Sequence, residues 1–439
     1  MHQLAQRPRQ PFRTALRIGE MTTAVAPPAL TPQRSTAEPP VAAAPAPRPR
    51  ERLMSLDVFR GLTVAGMLLV NNPGTWAAVH EPLEHARWHG WTPTDTIFPF
   101  FLFIVGITTH LSLTERARRG DDTSALRQQV VRRGLIIVLI GMALSAFPFF
   151  QWTPIAGNAD PSVLDRITYR FAHLRVMGVL PRIGWSYLIA ALITLQAPLR
   201  RTVVILVVLL YGYWALLTLV PVPGTGITGE LDVGPLTLQA WVDQLVLRPD
   251  HIWAGSRSFD PEGILSTLGA VASVITGVLA GRWIGTSRPL IERVAGLFGA
   301  GALAAVVGLM WHWSLPINKN LWTPSYVVFM SGMASMSLAT CMWLIEELDV
   351  TAWGKPFLVF GMNPILAFVG SGLMARCLYT IFTAPWHGKV VPVQKVLFET
   401  AFAPLLPAKD ASLLFAATFV LTWFGILSVF HRKRWFLKV

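Results

Sequence analysis

Residues 83–106 read LEHARWHGWTPTDTIFPFFLFIVG. Two histidines, His85 and His89, alternate with tryptophans, an aspartate follows at Asp95, and the chain then turns apolar without a break. The apolar run reaches about residue 114, long enough to cross a bilayer as a helix. Titratable groups at the edge of hydrocarbon are costly, so a cluster of them at the start of a membrane span calls for an explanation beyond packing.

Working outward, runs of the same grade recur along all 439 residues, of which 53% are apolar and 14% charged. The pattern predicts ten spans, over about 56–72, 95–114, 133–150, 175–196, 202–220, 262–284, 293–313, 323–345, 356–375 and 411–431. The expected fold is all-α, a polytopic integral membrane helical bundle. The net charge of +13 does not indicate nucleic acid, because the cations sit in tails and short connectors at alternate span ends, as the positive-inside rule requires. Arg48, Arg50 and Arg52 precede the first span, Arg116, Arg118, Arg119, Arg127, Arg132 and Arg133 lie around the second connector, and Arg432, Lys433, Arg434 and Lys438 close the chain. Both termini are therefore expected on the cytoplasmic side of a bacterial inner membrane, and the long connectors 73–94, 151–174, 221–261 and 376–410 on the outside. Those connectors carry aromatic residues and paired charges rather than linker composition, and suit a lid over an outward-facing site.

Residues 1–51, rich in Pro, Ala and Arg without an apolar run, read as a disordered cytoplasmic tail, leaving 52–439 as the membrane domain. The two cysteines, Cys341 and Cys377, fall in or beside predicted helices and suggest neither a disulfide framework nor a metal site. Gly277, Gly281 and Gly285, four residues apart, predict a close helix crossing. Trp76, Trp88, Trp91, Trp313 and Trp322, near span ends, fit an interfacial belt, although some could stack on a sugar.

The uncommon polar residues gather at the outer ends of several spans. His85 can serve as a base or a nucleophile, and Asp95 could orient its ring. Asn71 and Asn72 could donate to an oxyanion or simply cap the first helix. Asp260 and Glu262 in FDPEG either begin the sixth helix, with Pro261 in its first turn, or receive a cationic amino sugar. Lys319 and Asn320 follow the seventh span at the same level.

Five stretches together carry a resemblance: RLMSLDVFRGLTVAGMLLVNN, EHARWHGWTPTDTIFPFFLFIVG, FDPEGILSTLGAVASVITGVLAG, PINKNLWTPSYVVFMSG and GMNPILAFVG. In this order they resemble the transmembrane acetyltransferases typified by lysosomal heparan-α-glucosaminide N-acetyltransferase, and among them the bacterial NagX-type members. The resemblance implies transfer of acetyl from cytosolic acetyl-CoA to the amino group of a glucosamine-type sugar across the membrane. It also implies that His85 is the catalytic histidine, with Asn71 and Asp95 beside it. Asp260, Glu262, Lys319, Asn320 and Asn72 are then the expected sugar contacts. Cations for the nucleotide phosphates are expected among Arg60, Arg132, Arg133, Arg282 and Lys355 by depth, with Arg182 of the fourth span grouped with them. No counterpart of the family's large luminal N-terminal domain is read in the sequence, so a small periplasmic sugar is expected rather than heparan sulfate. Direct transfer with His85 as base and an acetyl-histidine intermediate both stay open, as does a homodimer. The rival reading is an amino-sugar permease, which a helix broken at Asn363 would suit.

Overall fold

The computed structural model describes residues 53–437. The expected tail, 1–51, lies outside them. The protein is a polytopic helical membrane bundle. Among the described residues, nine helical segments are long and apolar enough to cross a membrane, and the shorter apolar helix Val179–Thr194 makes the tenth of the expected spans. In chain order the helices are α1 (Met54–Asn71), α2 (Pro93–Arg118), α3 (Thr123–Ala146), α4 (Val163–Ala172), α5 (Val179–Thr194), α6 (Leu199–Leu219) and α7 (Leu238–Leu247). They continue as α8 (Thr267–Ile284), α9 (Leu290–His312), α10 (Pro324–Met342), α11 (Lys355–Met362), α12 (Pro364–Arg376), α13 (Val393–Ala401) and α14 (Ala408–Arg432).

The core is built on close helix crossings. A side chain at Gly277 of α8 would place its Cβ 2.0 Å from the carbonyl oxygen of Phe103 in α2, and one at Gly106 would lie 2.0 Å from the carbonyl of Val274. Only hydrogen fits between these backbones, so α2 and α8 are in direct contact. Gly281 continues the crossing against Ile107, whereas Gly285 caps the end of α8. Gly61 and Gly361 make an equally close crossing of α1 with α11, each facing a carbonyl of the other helix within 2.0 Å of an added Cβ.

The four long connectors are structured. They hold α4, α7, α13 and a two-stranded antiparallel hairpin of β1 (Thr383–Trp386) and β2 (Lys389–Pro392). Helix α4 begins with a reciprocal cap in which Ser162 and Asp165 satisfy each other's backbone N–H. It leaves an apolar stripe of Val163, Leu164, Ile167 and Phe171 exposed.

Three expectations change. Helix α8 begins at Thr267, not at the FDPEG motif, because the carboxylate of Asp243 accepts from the N–H groups of Asp260 (3.0 Å) and Ile264 (2.9 Å) and holds that segment as a turn. Trp322 is no belt residue: it is buried, with its Nε1–H donating to Ser273 Oγ at 3.0 Å. The ninth span is indeed broken at Asn363, but the freed polar groups are used locally. Asn363 is buried, donates to the carbonyl of Trp435 (3.0 Å) and accepts from the N–H of Leu437 (3.0 Å).

Candidate active site at one end of the bundle

Asp95 sits in the first turn of α2 with a side chain only 1% exposed. Its Oδ2 accepts from Ala86 N (3.0 Å), Thr92 N (3.1 Å) and Thr92 Oγ1 (3.2 Å), which pins the connector 86–92 to the helix end. Its Oδ1 lies 2.7 Å from His85 Nδ1 and 3.2 Å from Lys319 Nζ. Its own carbonyl accepts from the buried Tyr326 hydroxyl at 2.6 Å. A carboxylate with this many donors stays ionised and draws the imidazole proton to Nδ1, leaving the lone pair on Nε2. The His85 side chain is half exposed, so a ligand can reach the Nε2 edge of the ring, which it would share with Lys319, 3.3 Å away.

Lys319 is placed by a tight turn. Leu321 N donates to Asn318 Oδ1 (2.8 Å), Trp322 N to the Lys319 carbonyl (3.1 Å) and Thr323 N to the Asn318 carbonyl (3.1 Å). Its ammonium is 2.9 Å from His85 Nδ1 and 3.3 Å from Nε2. Since Nδ1–H serves Asp95, the hydrogen bond open to Lys319 in that tautomer is the one to Nε2. Burial lowers the pKa of Lys319 below the usual lysine value, and Asp95 and Glu262 offset part of that.

The opposite wall is a second ion cluster. Arg175 donates to Asp260 through Nε (2.8 Å to Oδ2) and Nη2 (2.5 Å to Oδ1), and also to Glu262 Oε2. Burial works against the guanidinium charge, but these two carboxylates outweigh it and raise the pKa of Arg175. Asp260 also accepts from Trp253 N (3.0 Å) and Glu262 N (2.9 Å). Behind it, burial pushes the Asp243 carboxyl up to about 6 in spite of its two N–H donors. Arg182, fully buried, donates to the Pro261 carbonyl (2.8 Å) and to Ser266 Oγ, and lies 4.8 Å from the Trp322 ring centroid.

Between the walls is a cavity of about 600 Å³. Asn71, His85, Asp95, Glu262, Lys319 and Asn320 all line it. Residues from the end of α1, the start of α2, the turn before α8 and the turn before α10 are thus brought to one place. Two expected sugar contacts are not on the lining: Asn72 donates to the Leu68 carbonyl (2.8 Å) and closes α1, and Asp260 lies behind Arg175. The lining also includes Trp76 and Trp88, two of the tryptophans that could stack on a sugar, and Arg175, Arg87 and Trp253, which were not expected there. Trp88 is held by its N–H to the Leu231 carbonyl (2.8 Å) and edge-on to Phe259 at 5.5 Å.

None of the five arginines expected at the nucleotide lines this cavity. Arg60 donates to Asp57 and to the Gly361 carbonyl (2.8 Å), and Arg282 donates to the Ala197 carbonyl (2.5 Å), each tying helices together. Arg133 lies 5.2 Å from the Tyr187 ring centroid and Arg132 is exposed on α3. Arg182 is enclosed beneath the cavity itself.

Residues 52–223 match the family model described as heparan-alpha-glucosaminide N-acetyltransferase, catalytic. The matched part contains Asn71, His85 and Asp95. Among curated proteins, the chain is 29% identical over 370 residues to heparan-alpha-glucosaminide N-acetyltransferase of Homo sapiens, covering 73% of this chain and 52% of that protein. It is 28% identical over 368 residues to the Mus musculus protein of the same name, covering 73% and 53% respectively. The chain spans about half the length of the curated relatives it matches. The family that the motifs resemble is the family that these comparisons return.

Proposed function

From kinship with the heparan-alpha-glucosaminide N-acetyltransferases, we propose that this chain is a transmembrane acetyltransferase that moves acetyl from cytosolic acetyl-CoA to the amino group of a periplasmic glucosamine-type sugar. The observation that carries the reading is the His85–Asp95 pair at 2.7 Å, with Lys319 at its edge, on the wall of a cavity large enough for a hexosamine.

In this reading the sugar ammonium first releases one proton to solvent, and Asp95 holds the proton on Nδ1, so that Nε2 of His85 takes the second proton from the amine as it attacks. The amine nitrogen forms its bond to the acetyl carbonyl carbon, the carbon–sulfur bond breaks, and the proton held by His85 goes to the departing thiolate. Negative charge that develops on the carbonyl oxygen is met by the Asn71 amide, with the Lys319 ammonium beside it. Glu262 and Asn320 face the sugar hydroxyls, and the indoles of Trp76, Trp88 and Trp253 supply flat apolar walls. Because Arg175 already binds both Asp260 and Glu262, the sugar amine is recognised less by these carboxylates than by the base that deprotonates it.

Sidedness follows from the cation distribution, which assigns the Arg-rich chain ends to the cytoplasm of a bacterium and the His85 end to the periplasm. Donor and acceptor then arrive from opposite faces of residues 52–439, acetyl-CoA past Arg60, Arg132, Arg133 and Arg282. The permease reading draws nothing from the break at Asn363, whose side chain is committed to the chain's own backbone.

The test is direct: purified full chain, acetyl-CoA and glucosamine, with mass detection of the product. N-acetylglucosamine should form, and His85→Ala should lower its rate by about 10²–10⁴-fold. Unchanged turnover in the variant, or no acetylated sugar from folded protein, would end the proposal.

A further inference from the structure

A smaller cavity adjoins the one beside His85, a second adjoins that one in turn, and no step above uses them. The first, about 300 Å³, shares Met67 and Asn71 with the main cavity and runs between α1, α3 and α12 past Leu144, Phe368 and Ser371 to Arg376. The second, also about 300 Å³, begins at Arg376 and is lined by Trp152, Thr153, Arg170 and Thr380. No carboxylate lines either one.

Arg376, at the end of α12, lines both cavities and is half-buried. Among the described residues it has neither a hydrogen bond nor an ion pair. Arg170 faces the same space and turns its guanidinium to the carbonyls of Ser145, Ala146 (3.1 Å) and Phe147 (3.2 Å) at the end of α3. Burial lowers its pKa. Arg166 is close by, 5.6 Å from the Phe150 ring. A half-buried guanidinium with no anion, beside another cation, is set for an anionic ligand.

The surroundings narrow the class. Arg166 and Arg170 belong to α4, a short amphipathic helix in an outer connector whose exposed stripe of Val163, Leu164, Ile167 and Phe171 has the pattern of an interfacial helix. Trp152, about half exposed, stands at the same rim. Phosphate esters are the anions of that depth. Resting on the acetyltransferase reading, we infer that the acceptor is an amino sugar bearing a phosphate ester, with the sugar ring beside His85 and the phosphate on Arg376. Both a free hexosamine phosphate and a lipid-linked glycosyl phosphate carry this chemistry.

The test uses the purified full chain in neutral detergent with acetyl-CoA and three acceptors: glucosamine, glucosamine 1-phosphate and decyl glucosaminyl phosphate. The phosphate should raise kcat/KM by about tenfold or more, the range of one charge-assisted contact. Arg376→Gln should remove that gain while leaving the kinetics on plain glucosamine and the Tm unchanged, and Arg376→Lys should keep part of it. Equal gains with both phosphates identify a free sugar phosphate, and a further gain with the decyl ester identifies a lipid-linked acceptor. No gain from phosphate, or a gain that survives Arg376→Gln, overturns the inference. Should plain glucosamine be acetylated without any phosphate preference, only the subsite falls. Should no acceptor react, the acetyltransferase reading falls, and the subsite is judged by melting. Glucosamine 1-phosphate must then stabilise the protein more than glucosamine does, and Arg376→Gln must erase the difference; otherwise the subsite falls too.

Discussion

Each wall of the main cavity pairs a cation with a buried aspartate, yet the two differ in what they leave unused. At Arg175, Asp260 and Glu262, every strong group is matched: the guanidinium meets both carboxylates, and the remaining lone pairs of Asp260 take backbone N–H groups. At Lys319, Asp95 and His85, the buried acid is just as fully occupied, but the second nitrogen of the half-exposed imidazole meets only the Lys319 ammonium, at 3.3 Å. A saturated cluster fixes geometry, while a saturated acid behind an unsaturated base can move protons. Two ion clusters on one cavity thus separate into a clamp and a reactive pair.

The largest effect should come from Asp95→Asn. Asparagine keeps an oxygen for one backbone donor but cannot hold the Nδ1 proton as a carboxylate does, so kcat should drop by about 10³–10⁴-fold with the fold retained. Near-normal turnover in this variant would mean that the two walls are not functionally distinct.

Arg175→Met should fail in the other way. It leaves Asp260 buried and unpaired, at a cost of about 3–5 kcal/mol, and should appear chiefly as a lower Tm in detergent, whereas Asp95→Asn moves the rate far more than the melting point. If Arg175→Met melted like the parent protein and lost only its rate, the clamp assignment would be wrong.

The smallest effect concerns pH. Because burial lowers the pKa of Lys319, its charge is complete at low pH and is lost, as pH rises, earlier than that of an exposed lysine. A rate that uses the ammonium falls along the same alkaline limb. Lys319→Arg keeps its charge at every working pH, so kcat/KM should lose that limb, with a plateau about tenfold lower because a planar fork cannot occupy the ammonium's point. An alkaline limb that survives the change belongs to another group.

The spans were legible because apolar length is a one-dimensional property, and α5 was found from the same signal although it is short. His85 and Asp95 were legible for a similar reason, ten residues apart and beside a span whose apolar run made them conspicuous. Arg175 was not, since its partners stand 85 and 87 residues away and neither spacing nor periodicity links an arginine in one connector to acids in another. Trp322 was misread because a tryptophan near a span end looks the same whether lipid headgroups or Arg182 cover it. Arg376 raised no expectation from sequence, because what distinguishes it is the lack of an acid in three dimensions.

The contact of α2 with α8 at Gly106 and Gly277 has a mechanical meaning. Asp95 stands roughly 12 Å up the helix axis from Phe103, at 1.5 Å per residue, beyond Pro99, with its carbonyl held by the Tyr326 hydroxyl. One methyl group inserted at the crossing would tip α2 and carry the carboxylate away from His85, and a misplacement near 1 Å can cost about 10²-fold in rate. Inherited or engineered changes deep in the bundle would therefore register at the cavity as well as in the packing of α2 on α8.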